Sequence, residues 1–348
     1  MVDRRKWEEV LKKILAISCL LAGASPAAAE VTLTVNSWAA PNYILSIAAV
    51  ELCDDIAGVT EGRVKCNILP KAVASPTQTF DAVVDGIVDI GYTVHGYNAG
   101  RFPLTEVVEF PLLGDTSEAM SVAYQRVYER MLADADEHNG VIVLAVHNHG
   151  PGQIFTTRKK VETLADLNGL KMRIGGGVLT QICEEIGVVP LLRPAPEAYE
   201  MLSTGVADGV FFAKDGIVPY NLPDVIGHAT FVPGGMYNLS FGWFINPDKW
   251  NSIPEADREL IQPLLGEALA RRIGKIYDTV DEDNVKALDE ANIPYTTAGP
   301  EFVAELDAKV AGLKDVWIEK AKAKGIDGAA VLAALEEELE TVRKELGQ

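Results

Sequence analysis

Histidine and cysteine are scarce in this chain of 348 residues, at five and four respectively. Neither shows the paired spacing of a zinc site, and His147 and His149 sit beside a glycine turn rather than on one helix face. A P-loop is missing as well, because Gly175-Gly176-Gly177 lacks the lysine and hydroxyl of a phosphate cradle. There is no G-x-S-x-G elbow and no cysteine with a positioned base, so no catalytic apparatus is visible. Basic side chains are the minority, 31 against 50 acidic ones, giving a formal net charge of −19. Such a field disfavours nucleic acid and anionic lipid surfaces. An anionic guest must therefore be captured by locally placed donors.

Long apolar runs are absent too. The only candidate, Ile14–Gly23, follows Arg4, Arg5, Lys6, Lys12 and Lys13 and precedes Ala27-Ala28-Ala29, which is the pattern of a secretory signal peptide over residues 1–29. It is too short to span a bilayer, so no membrane insertion is expected after cleavage. Glu8 and Glu9 argue against the twin-arginine route, and Ala16-Ile17-Ser18 before Cys19 is a poor lipobox. Five basic and three acidic side chains leave with the leader, which takes the charge from −19 to about −21. Three cysteines remain: Cys183 lies on an apolar helical face, and whether Cys53 and Cys66 join is left open by spacing alone.

With 48% apolar residues, the chain is most simply two lobes with a cleft between them. Val31–Val35 alternates as a strand, Leu45–Ile56 has helical period, Val64–Ile68 alternates again, a helix from Ser75 ends at Gly86, and Ile87–Tyr92 is a compact apolar strand. A similar winding follows Gly150, through Ile154–Thr156, Leu170–Ile174, a helix to Ile186, Val189–Leu192, a helix over Glu197–Ser203 and Val210–Phe212. His149-Gly150-Pro151-Gly152 and Pro233-Gly234-Gly235 suit the crossovers. From Ser252 to about Ala291 the pattern is helical, with a break expected at Pro263, and so long a helix should lie across both lobes. Two more helices are read over Phe302–Lys324 and Gly328–Glu345. The expected division is 30–150 plus 239–279 for the first lobe and 151–238 plus 280–348 for the second.

In open α/β sheets, ligands bind beyond the carboxyl ends of the strands. Arg173 ends a short strand there, and its planar fork suits a carboxylate. An ion pair with Glu184 or Glu185 is the competing use of the same side chain. Only one of Phe211 and Phe212 can face a cleft. Trp38, Tyr43, Tyr92, Tyr97 and Tyr237 follow strands or loops near the crevice, and His95 and Asn98 supply donors.

Several stretches resemble the periplasmic solute-binding proteins of tripartite ATP-independent periplasmic (TRAP) transporters, of the dicarboxylate-binding type. They are Leu164-Ala165-Asp166-Leu167-Asn168-Gly169-Leu170-Lys171-Met172-Arg173, Gly187-Val188-Val189-Pro190, Glu197-Ala198-Tyr199 and Leu202-Ser203-Thr204-Gly205-Val206-Ala207-Asp208-Gly209. Phe110-Pro111-Leu112-Leu113 and Asn246-Pro247-Asp248-Lys249-Trp250 add to them, and the likeness spans nearly all of the chain after the leader. The resemblance implies a periplasmic α/β protein of two lobes, each a mostly parallel sheet flanked by helices, joined by crossing strands and a long helix. It also implies a hinged receptor that hands a solute to membrane permease subunits, and it makes Arg173 the carboxylate clamp. Where many members continue D-G-Q-E-N-P, this chain places Phe212 at the asparagine position, and Gln153 stands where some relatives carry a second arginine. The implied guest is a small monocarboxylate with an apolar or aromatic body, clamped by Arg173, bonded by Gln153, Asn238 and His95, and walled by Phe212, Trp38, Tyr97 and Tyr237. No cofactor is expected, and a ligand-bridging metal is left open. The alternatives are an exported enzyme using His95 or Asp215 as base, or a ligand-sensing partner of a membrane receptor.

Overall fold

A computed structural model describes residues 30–114 and 116–348; the leader expected over 1–29 lies outside them. In chain order the strands are β1 (Val31–Asn36), β2 (Val64–Ile68), β3 (Ile90–Val94), β4 (Ile142–Asn148), β5 (Gly152–Thr156), β6 (Lys171–Ile174), β7 (Val189–Leu192), β8 (Gly209–Ala213), β9 (His228–Phe231), β10 (Ser240–Ile245) and β11 (Tyr295–Thr297). They form two sheets, ordered β2-β1-β3-β10-β4 and β11-β9-β5-β8-β6-β7. β3, β5, β8 and β10 are buried along their whole length. That is why none of the four carries a charged side chain.

Each sheet is mixed, because the chain crosses between lobes. β4 leads directly into β5 of the second sheet, and the segment after β9 returns as β10, which runs antiparallel between β3 and β4. The third crossing is the helix Glu267–Glu290. It begins after Pro263 has converted the preceding helix into a 3-10 turn at Gln262–Leu264. Its apolar face, including Leu269, Ile273 and Tyr277, packs on β4 and the helix Ser117–Val127 of the first lobe. It then passes the Lys214–Gly216 turn of the second lobe and ends before β11.

The helix Pro300–Val310 rests on the second lobe, whereas Leu313–Ala323 and Gly328–Leu346 fold back onto the first. The division at residue 280 placed them all in the second lobe. The contacts differ because Trp317 Nε1 donates to Pro103 O at 2.9 Å, Lys320 pairs with Glu106 at 2.6 Å, and Arg126 reaches Glu338 at 3.3 Å. Leu335, Leu339 and Val342 fill the seam. Cys53, on the helix Ile44–Val59, is bonded to Cys66 on the edge strand β2, and Cys183 is free and buried.

Candidate functional site

Arg173 lies on β6, in register with Leu191 of β7 and Val210 of β8, near the carboxyl ends of these strands. Its side chain turns into the interlobe space and is only 2% exposed. Nε donates to Arg193 O at 2.8 Å, and Nη2 reaches the hydroxyl of Tyr97, from the first lobe, at 3.4 Å. Tyr97 is itself fixed by the Ala195 N–H, which donates to its oxygen at 2.9 Å. The Phe212 ring lies beneath the guanidinium, 5.2 Å from its central carbon. Glu184 and Glu185, the competing partners, are exposed on their helix. Among the described residues, Arg173 has no carboxylate partner in any ion pair found. A buried cation of this kind is costly unless an anion arrives to match it.

Around this cation is a narrow cavity of ≈ 20 Å³, lined from the first lobe by Trp38, Tyr43, Val94 and Tyr97 and from the second by Arg173, Ala195, Phe212 and Ala213. His149, Tyr237, Leu239 and Phe241, from the crossing segments, complete it. Two glycines let its rings stand where they do: a Cβ at Gly216 would run into Phe212, and one at Gly152 into Tyr237. The lobes are shut over the cavity, with Gly96 O against the backbone of Gly176 and Gly177.

Arg173, Phe212, Trp38, Tyr97 and Tyr237 thus line one cavity. Three other candidates do not join them. Gln153 spends its amide on the crossing backbone, donating to Pro151 O at 3.1 Å and accepting from Val232 N at 2.6 Å. Asn238 is buried between Tyr237 and Leu239, and unlike them it does not line the cavity. His95 belongs to a buried polar chain, Nδ1 to Ser240 Oγ at 2.7 Å and Nε2 to His138 at 2.9 Å, and burial holds its pKa well below the usual imidazole value. Asp215, the other base considered, is buried beside Tyr43 and Asp281 and is pushed up to about 8, first by burial and then by Asp281. It does not line the cavity around Arg173.

His149 and Phe241 were missed. His149 is adjacent to the Gly-Pro turn that marked it as linker, and Phe241 lies in a strand that inserts far from its sequence neighbours. No local signal distinguishes either.

Two α/β lobes, joined by crossing strands and a long helix and meeting over a cavity where a cation without a carboxylate partner among the described residues lies amid aromatic rings, define the class of extracytoplasmic solute receptors. Residues 35–320 match the family described as bacterial extracellular solute-binding protein, family 7, and the chain belongs to it. A TRAP periplasmic solute-binding protein from Bordetella bronchiseptica, solved with bound (R)- and (S)-mandelate, is 40% identical, superposes with a TM-score of 0.87, and aligns over 90% of this chain and 99% of its own. A marine metagenome TRAP solute-binding protein, described as specific for aromatic acid ligands and solved with 3-hydroxybenzoate, is 30% identical, with a TM-score of 0.85 and 90% and 99% coverage. The outer membrane transporter protein TsaT of Comamonas testosteroni is 29% identical over 310 residues, 86% of this chain and 89% of that protein. The chain is a periplasmic solute receptor of the TRAP type.

Proposed function

We propose that this receptor binds a small monocarboxylate with an aromatic or otherwise apolar body and delivers it to TRAP permease subunits in the membrane. The observation that carries the reading is Arg173, a buried guanidinium that among the described residues has no acid partner, at the edge of an aromatic cavity. A carboxylate completes it through a charge-assisted, two-pronged pair, and the rings of Trp38, Phe212 and Tyr237 cover the rest of the guest. A second carboxylate would be buried without a cation, at a cost of several kcal/mol, so dicarboxylates are poor guests. Mandelate, benzoate-like acids and 3-hydroxybenzoate have the right chemistry.

In this reading the protein is not an enzyme. Both ring nitrogens of His95 are engaged, and the Asp215 carboxyl stands outside the cavity lining. Nor does a cofactor or bridging metal take part, since the cation that the guest needs is already supplied by the chain. Titration calorimetry with benzoate, mandelate and succinate tests the proposal. The two aromatic acids should bind, succinate should bind far more weakly, EDTA should change nothing, and Arg173→Ala should abolish binding while the free protein keeps its melting temperature. Normal affinity in that variant, or succinate bound as tightly as the aromatic acids, overturns it.

A further inference from the structure

We propose that His149 reads a hydrogen-bond donor on the bound acid, so that this receptor prefers hydroxylated acids to their unsubstituted and oxo counterparts; the inference rests on the carboxylate reading above. His149 follows the end of β4, is 4% exposed, and lines the same cavity as Arg173. Its Nδ1 meets the carbonyl oxygen of Gly150. A carbonyl only accepts, so Nδ1 must carry the proton. Burial is the main cause that lowers the pKa of this imidazole to about 4, with Arg173 adding to it, so the ring is neutral. Its other nitrogen, Nε2, is then a bare lone pair. That atom is buried and has no hydrogen-bond partner among the described residues. A buried acceptor left without a donor is costly, and few native groups are left so.

His147, two residues earlier, shows what the arrangement looks like when it is satisfied within the protein. Its Nδ1 likewise faces the next residue's carbonyl, Asn148 O at 3.3 Å, and its Nε2 accepts from the Trp243 indole at 3.1 Å. At His149 the indole's role is left to the guest. A carboxylate or keto oxygen has no proton to offer Nε2, whereas a hydroxyl has. Arg173 selects for the acid group, and His149 selects for the O–H beside it or on the ring.

Calorimetry on the whole protein tests this with two sets of probes: mandelate, phenylacetate and phenylglyoxylate, then 3-hydroxybenzoate and benzoate. In at least one set the hydroxylated acid should bind roughly tenfold to hundredfold tighter than its counterparts. His149→Phe keeps the ring area and removes the acceptor. It should remove the hydroxylated acid's advantage over its counterparts. No preference in either set with the unaltered protein overturns the inference while leaving the carboxylate reading intact, and so does a preference that survives in His149→Phe. If none of the five acids binds, the carboxylate reading itself fails and takes this one with it. The wild-type comparison stands even if the variant does not fold.

Discussion

Glu109 of the first lobe accepts a hydrogen bond at Oε2 from the backbone N–H of Val178, 2.9 Å away in the second lobe. Its other oxygen accepts from Ser240 N at 3.0 Å, on the crossing strand β10. Val178 opens the helix Val178–Glu185, whose unpaired N–H groups favour a partner of this kind. Gly177 makes the approach possible, because a Cβ there would run into the Glu109 carboxyl. The contact bridges the two lobes, so Glu109 should act as a latch that is lost when they part.

The latch should make ligand affinity depend on pH. Burial, with Glu106 adding to it, outweighs the two N–H donors and pushes the Glu109 carboxyl up to about 8 in the closed form. Once the lobes part and water returns, it should relax toward the ordinary carboxylate value of about 4.3. The closed state therefore holds the proton more tightly. Its advantage is complete below the open-state value and is lost as pH rises through the closed-state value. Affinity for mandelate should fall as pH climbs from about 5 to about 8 and level off above that. Titrations between pH 5 and 9 check this, and Glu109→Gln, which cannot titrate, should flatten the dependence. A slope unchanged in that variant would assign the effect to other buried acids, such as Asp215 and Asp281.

Gln153→Ala separates the two roles that sequence position suggested for this residue. Its amide ties Pro151 O and Val232 N together at the crossing, so its removal leaves buried backbone groups unpaired. The variant should lose about 1–3 kcal/mol of stability and keep nearly full ligand affinity. Chemical denaturation and calorimetry on the same sample decide it. Lost affinity at unchanged stability contradicts the assignment.

The disulfide should act on stability alone. It joins the helix Ile44–Val59 to β2, the outer edge of the first sheet, across a sequence separation of 13. Replacing both cysteines with serine should cost about 3 kcal/mol, the loop-closure entropy regained by the unfolded chain. Ligand affinity should not move, since the bond is remote from the cavity. A large change in binding would show that the first sheet is not the rigid body it looks.

Elements formed by local pattern are legible in the sequence. The strand after Gly86, the break at Pro263 and the helix onset near Ile44 follow from periodicity, glycine and proline. Arg173 was legible for a different reason: an arginine at a strand end is common and by itself decides nothing, but its neighbours carry a recognisable motif. Non-local pairing was not legible. The insertion of β10 between β3 and β4, and the return of Leu313–Leu346 to the first lobe, depend on partners far away in the chain. Gln153 and His95 were misplaced by the same blindness, because their polar atoms are spent on Val232, Ser240 and His138. Conversely, His149 looked like linker because the glycine and proline beside it carry the stronger local signal.

Phe212 is the sharpest departure from the pattern that the resemblance brings, where asparagine stands. Its ring underlies the Arg173 guanidinium at 5.2 Å and packs against Tyr220 at 5.6 Å, so it both walls the cavity and screens the cation from water. Phe212→Asn removes that apolar area and puts an amide beside the carboxylate position. For a guest whose body lies on the ring, the lost burial is about 1.5–3 kcal/mol, roughly tenfold to hundredfold in Kd. A small polar acid loses little of this and gains a hydrogen-bond partner. Calorimetry of the variant should show benzoate and mandelate weakened by that margin while succinate is weakened less or improved. Equal losses for all three would mean that Phe212 only supports Arg173 and does not choose the guest, because a displaced guanidinium penalises every carboxylate alike.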